Sequence, residues 1–285
     1  MQKGFVFACI CLAAVPLGFS QTLSLRLNAG MAYGTGGDLA KGLRGQMDYY
    51  AAEYDNLVGE FKLPKFGWAA GGEILIHLNS SFAVGLGAGF EHHGLESLVE
   101  YAIGYVEVEE NLKPVFDVIP LTGSLHLFLT LGPKLKLDLN AGGGAYITRL
   151  NWDFGYDIAL LGYQGSDVYT FRSSKVGFGF QGGAGLELAL SSKLSLVLNV
   201  LGRAAKIGPF RGDWTETGTG DFWSFADSGS DHVLYYYDLT VAGKTFPQIV
   251  LQSGPPAGTS VSNAREAKLD LTGFAASLGI KIALF

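Results

Sequence analysis

Charge is scarce, cysteine is nearly absent, and long apolar runs are confined to one place. Asp, Glu, Lys and Arg make up 16 % of the 285 residues, against ~25 % in an ordinary soluble domain. Acidic residues outnumber basic ones, 26 to 20, for a formal charge of −6. A nucleic-acid binder normally presents a basic face, so no nucleic-acid partner is expected. The two cysteines, Cys9 and Cys11, both fall in GFVFACICLAAVPLGFS, which follows Lys3. A short basic region, an apolar core and small residues before a cut mark a signal peptide. Gly18 and Ser20 fit the positions three and one before cleavage. Residues 1–20 therefore read as a signal peptide and residues 21–285 as one domain. No lipobox surrounds either cysteine, and cleavage removes both, so the exported domain is expected to hold without disulfides. No other stretch approaches the ~18 apolar residues of a spanning helix.

Familiar site motifs are missing too. GGGAY and GTGGD are rich in glycine, yet no Lys-Ser and no following helix complete a phosphate loop. No cofactor is expected. His92 and His93 in EHHG point to opposite faces of one strand, so they form no clamp without a bend.

What the chain has is glycine, 41 residues, about twice the usual ~7 % share, and a period of two. In KLKLDLNAGGGAYIT, Lys134 to Thr148, the odd positions from Leu135 to Ile147 carry no charge. The even positions hold Lys136, Asp138, Asn140 and Tyr146. Alternation over this length is a β-strand. It suits lipid on one face and a polar interior on the other. The pattern returns over residues 22–34, 67–79, from Phe82, over 119–131, from Val176, from Leu194 and over 268–285. That makes eight strands. Asn79–Ser81, Gly132–Pro133 and Ser191–Ser192 make short turns, while residues 35–66, 94–118, 151–174 and 209–265 make long connections. Short turns on one side and long loops on the other fit an all-β fold, an eight-stranded antiparallel transmembrane β-barrel with long extracellular loops. Closure leaves no strand edge without hydrogen bonds in lipid.

Within the first connection, Leu39, Leu43, Met47, Tyr50, Tyr54 and Leu57 recur at three and four, which predicts a helix from about Asp38 to Val58. Gly42 and Gly45 weaken it. It lies across the top of the fold or reaches into the lumen as a plug. In the longest connection, HVLYYYDLTV and TFPQIVLQ form a hairpin-like pair that prolongs strands seven and eight or makes a small flap.

With its leader, its LNAG strand openings and its aromatic Phe285, the chain resembles the small eight-stranded outer-membrane barrels of Gram-negative bacteria, the OmpW-like and OmpA-like class. The resemblance implies a place in the cell outer membrane, with outer-membrane lipid, lipopolysaccharide and the assembly machinery as partners. It also implies one of three roles: structural or binding, passage of small hydrophobic molecules, or lipid modification. A terminal Phe is part of the assembly signal in that class. Here Ala283, Lys281 and Gly279 occupy the alternate positions before it, and Ile280, Ile282 and Leu284 carry the apolar face. A bulge near the terminus would reconcile the two registers.

The expected interior set is Arg26, Glu73, His77, Glu91, His93, His126, Lys136, Asp138, Glu187 and Arg203. Both signs occur, and buried charge needs a partner. A salt-bridged polar core is the expectation; a narrow hydrated channel, or a metal or proton site around Glu73, His77 and Glu91, is the alternative. Barrel deacylases pair His-x-Ser with a distant Glu, whereas here Ser124 precedes His126, so the order is wrong. Asp153, Asp157, Asp213, Glu216 and Asp221 supply acids near the top rim, with no spacing that marks a pair. The chain therefore does not read as an enzyme. The long loops carry surplus aromatics, among them Trp152, Tyr156, Tyr163, Trp214, Trp223, Tyr235, Tyr236 and Tyr237. Interface girdles account for several; the rest are candidates for binding a hydrophobic ligand or a partner protein.

Overall fold

The computed structural model describes residues 22–54, 56–160 and 163–284. The expected signal peptide of residues 1–20 and the terminal Phe285 lie outside the described residues. In chain order the elements are β1 (Thr22–Gly34), α1 (Gly37–Glu53), β2 (Val58–Gly59), β3 (Phe66–His77), β4 (Phe82–Gly94), β5 (Ser97–Ile103) and β6 (Val106–Thr130). There follow β7 (Leu135–Leu160), β8 (Tyr163–Ala189), β9 (Leu194–Ile207), β10 (Arg211–Gly220), β11 (Trp223–Val241) and β12 (Lys244–Gln252). The last are β13 (Val261–Glu266), β14 (Leu269–Asp270) and β15 (Gly273–Ala283). Every pairing among them is antiparallel.

The pairings close on themselves. β1 pairs with β3, then β4, β6, β7, β8, β9 and β15 follow, and β15 returns to β1. Each ring strand thus has both edges bonded, which removes the open edge of a flat sheet. Alternation sends apolar side chains outward and polar ones inward, the reverse of a soluble barrel. Phe178 and Phe180 are more than three-quarters exposed on the outside, while Arg26, His126 and Asp138 are almost fully buried inside. At the lower end the turns are tight: Asn79 Oδ1 accepts from the amides of Ser81 and Phe82, both at 2.8 Å.

At the upper end the strands do not stop. The β6–β7 ladder runs on to Val106↔Leu160, and the β7–β8 ladder to Leu160↔Tyr163. The stretch 94–118, expected as a polar connection with part of 101–110 extending the strands, and the stretch 151–174, expected as a loop, are therefore largely strand. The facing inverts along them. Ile119, Ile147 and Val176 form one cross-strand row of outward apolar residues. Above that row Phe116, Leu150 and Phe171 point inward and are buried, while Arg149 and Arg172 are exposed. Such inversion is what a strand does when its outer face passes from an apolar medium into water. The alternation is kept throughout; only its polarity changes, and that hides the strand from a search for outward leucine.

Above the ring β8 changes partner. Its lower part pairs with β9 and its upper part, Gly165–Ser173, with β10. β11 pairs with β10, and β12 and β13 pair with β11. The excursion 209–265 thus widens the sheet from β8 and does not prolong strands seven and eight, because β10 takes the edge of β8 that β9 leaves. The helix runs Gly37–Glu53, shorter than expected: Tyr54 is already extended, and Val58–Gly59 pairs with β5. It caps the ring. Leu39 and Leu43 share one apolar cluster with Phe116, Tyr146 and Ile207. Gly42 and Gly45 are the contact points with β12: a Cβ at Gly45 would lie 2.0 Å from the Pro247 carbonyl oxygen. The β1–β15 ladder runs from Ser24↔Ala283 to Gly34↔Gly273 with no register shift. The bulge expected near the terminus is absent over Gly273–Ala283, and Lys281 faces inward because it has a partner there.

Candidate functional site

The ring brings the ten expected interior residues into three tiers. In the middle tier Arg26 Nη2 donates to Asp138 Oδ2 at 2.6 Å, and Arg26 Nη1 lies 3.6 Å from Glu73. His126 Nδ1 lies 2.9 Å from Asp138 Oδ1, and its Nε2 lies 3.1 Å from Glu73 Oε1 and 2.9 Å from Ser124 Oγ. β1, β3, β6 and β7 each contribute, so the tier ties four strands of the ring together. In the upper tier Arg203 Nη1 donates to Glu91 at 2.6 Å and Nε donates to the Leu271 carbonyl at 3.1 Å. His93 stacks on Phe116 at 4.4 Å, with Nε2 3.7 Å from Glu91. In the lower tier Glu187 accepts from Lys281 and, at 2.9 Å, from Ser195 Oγ. Lys136 sits across the ladder from Glu187, and His77 Nε2 bonds Ser24 Oγ at 2.8 Å.

Glu73, His77 and Glu91, weighed together as a metal or proton site, go to different partners. Ser124, His126 and Asp138 have the spacing of a nucleophile, base and orienting acid. Their hydrogen bonds do something else. Ser124 Oγ donates to Glu73 Oε1 at 2.5 Å, whereas a nucleophilic hydroxyl must give its proton to the ring. The tier is an ionic lock. Between the middle and upper tiers the lumen narrows to a cavity of about 130 Å³, lined by Arg26, Asn28, Glu73, Asn140, Asn199 and Arg203 among others.

A second site lies in the upper extension. Cross-strand pairing stacks inward residues into rows: Trp152–Phe171–Trp214, Phe154–Tyr169–Glu216 and Tyr156–Asp167–Gly218. Leu112 of β6 and Glu110 continue the second and third rows. With Leu43, Gln46 and Phe61 from the helix side and Leu234, Ile249 and Leu251 from β11 and β12, these rows enclose about 280 Å³. Asp167 is buried, and its Oδ1 has no hydrogen-bond partner among the described residues; neither has the Tyr169 hydroxyl. Burial, and then the charge of Asp167, push the Glu216 carboxyl up. Burial also pushes up the Glu110 carboxyl, against the Tyr101 and Tyr50 hydroxyls that donate to it at 2.7 and 3.2 Å.

The loop aromatics divide. Trp152, Tyr235 and Tyr236 are buried, so they pack the extension and do not present a mouth, because the segments that carry them are strands. Tyr156 lines the cavity, and Trp214 stacks on Tyr169 at 5.7 Å. Tyr237 is half-buried and does not line the cavity. Tyr163 and Trp223 are exposed, against Phe222 at 5.1 Å and Phe225 at 5.6 Å respectively. Of the rim acids, Glu216 has a partner that no spacing announces: Asp167, 49 positions earlier, meets it only through the β8–β10 register. Lys281 was legible as inward by alternation alone.

No family model and no curated protein matches the chain. Among solved structures, the outer membrane protease OmpT from Escherichia coli is similar, at 9 % sequence identity and a TM-score of 0.28, over 93 % of this chain and 96 % of that one. A likeness at that level decides neither site nor activity.

Proposed function

We propose that the chain is an outer-membrane protein of a Gram-negative bacterium. In this reading the closed ring is an eight-stranded transmembrane β-barrel, and the extension above it, facing the cell exterior, has a structural or binding role. The observation that carries the reading is the pairing of opposite charges across the lumen, above all Arg26 with Asp138 and Arg203 with Glu91. Charge-assisted bonds of this kind are strong in a site removed from water, and eight strands leave an interior that side chains can fill. The outward apolar face from Leu135 to Ile147 gives β7 more than the ~9–11 residues needed to span. Aromatic pairs stand on the outer wall near the upper boundary, Trp68 with Phe90 and Tyr33 with Phe66, where a membrane interface favours them. Partners are then outer-membrane lipid, lipopolysaccharide and the assembly machinery. In this reading the role is not enzymatic: Ser124 shares its hydroxyl with Glu73, so the Ser124, His126 and Asp138 set serves the charge network of the lumen. Planar-bilayer recording tests the sealed lumen: no steady current is expected, and a large steady conductance would overturn it.

Passage of small hydrophobic molecules is the second reading. One observation favours it. The β4–β6 pairing passes from Ala88↔Leu121 to Glu91↔Val118 with no pair between. Pro120 lies in that gap and has no N–H to give the ladder. Uptake of an apolar dye into liposomes without conductance would support this route.

A further inference from the structure

We propose that the cavity of the extension binds a small organic cation, an amine or quaternary ammonium carried on an apolar or aromatic body. The inference rests on the binding role proposed above and names its ligand class. Three features of the cavity point the same way. Its wall is aromatic on one side, with Trp152, Phe154 and Tyr169 in adjacent rows. A cation over such faces is attracted by the ring quadrupoles, and tryptophan is the best of them. Its charged groups are acids: Asp167 and Glu216 line it beside the neutral Gln46, Tyr156 and Tyr169, and no Lys or Arg does among the described residues. Asp167 is the most telling: Tyr156 and Glu216 lie close to its carboxyl, yet Oδ1 is buried without a hydrogen bond, a costly state for a carboxylate oxygen. An ammonium group offers that oxygen a donor and a compensating charge in one step.

The volume, about 280 Å³, suits a molecule of one ring and a short arm, near the small end of ligand sites. A neutral hydrophobe would fill the aromatic side and leave Asp167 unanswered. An anion would meet two carboxylates. A bare metal ion would leave the apolar wall unused. Outside the cavity, a wider opening is lined by Glu100, Glu107, Glu109, Asp157 and Asp221. Tyr101 and Val108, which border that opening, belong to the same apolar cluster as Leu43, Phe61 and Leu112 of the cavity wall. Acids of one sign on this neighbouring surface raise the local concentration of cations near the extension.

The test uses the full chain folded in detergent micelles, with folding checked by heat-modifiable gel migration. Calorimetric titration with 2-phenylethylamine should show saturable binding, one molecule per chain. 2-Phenylethanol, the neutral analogue, should bind at least tenfold more weakly, and phenylacetate should not bind. Asp167→Asn should weaken the amine at least tenfold, and Glu216→Gln should weaken it measurably. Glu96→Gln, an exposed acid on the outer face, should leave it unchanged. Equal affinity for amine and alcohol would overturn the proposal, as would no amine binding to folded protein. If Asp167→Asn does not fold, an unchanged affinity in Glu216→Gln overturns it instead. Displacement of the amine by an equal concentration of magnesium chloride would mark an inorganic-cation site and also overturn it. Steady conductance in bilayers would sink the sealed-lumen reading and leave this one standing.

Discussion

A single buried charge is tolerable in this fold only because another residue answers it. Arg26 and Asp138 are both nearly inaccessible and bonded at 2.6 Å. Removing one partner of such a pair typically costs about 3–5 kcal/mol, mostly by stranding the other charge. Arg26→Met should therefore sharply reduce the folded fraction in a urea titration read by gel migration. Arg26→Met with Asp138→Leu should recover part of the loss, and no recovery would show that the pair does not act as a unit. Glu110 makes a different case, outside the ring. Burial raises its carboxyl in the folded chain, so folding takes up a proton. Stability from this group is then fully present at low pH and is lost as pH rises through the folded value. Glu110→Gln should remove that loss. The variant and the native chain should resist trypsin equally at low pH, and the variant should resist better at neutral and alkaline pH. A variant that is weaker at every pH would show that the ionised form is the favoured acceptor for Tyr101 and Tyr50.

Elements were legible where their apolar face turned outward and obscure where it turned inward. β1, β3 and β4 agree with the alternation to within a residue or two, because leucine, tryptophan and phenylalanine on one face contrast with charge on the other. The upper halves of β6, β7 and β8 keep the same period with the contrast reversed, and aromatic residues at Trp152, Phe154 and Tyr156 look like loop decoration until pairing stacks them. The helix shows the same limit. Gly42 and Gly45 lower its intrinsic propensity, yet they are the positions where β12 comes closest, and only the tertiary contact explains them. Gly45→Val should lift α1 from Pro247 and expose the upper cluster. The expected result is faster trypsin cleavage within residues 37–53, with ring migration on gels unchanged. Cleavage at the native rate would show that α1 is not held there.

At the scale of the molecule, two environments meet on one continuous sheet. Leu196 lies outward on β9, and Leu196→Arg should cost about 2–4 kcal/mol if it sits near the bilayer midplane. The measurement is assembled fraction by heat-modifiable migration, and tolerance equal to that of an exposed extension site such as Val168→Arg would undo the membrane reading. The luminal tiers were legible as a set, since alternation alone assigns Arg26, His126 and Glu187 to one side. Their grouping was not, because partners such as Glu91 and Arg203 are 112 positions apart and meet only across a closed ring. The long β7–β8 hairpin also sets an elevation. Trp152 and Tyr156 stand five and nine residues above the Ile147 row. At ~3.3 Å per residue and a tilt of ~40°, that is roughly 13 to 23 Å of height. A solute dissolved among lipid tails cannot reach the cavity without leaving them. If the ring spans the outer membrane as proposed, the pocket meets only solutes on the outer side of the lipid, and the barrel sets the height at which it meets them.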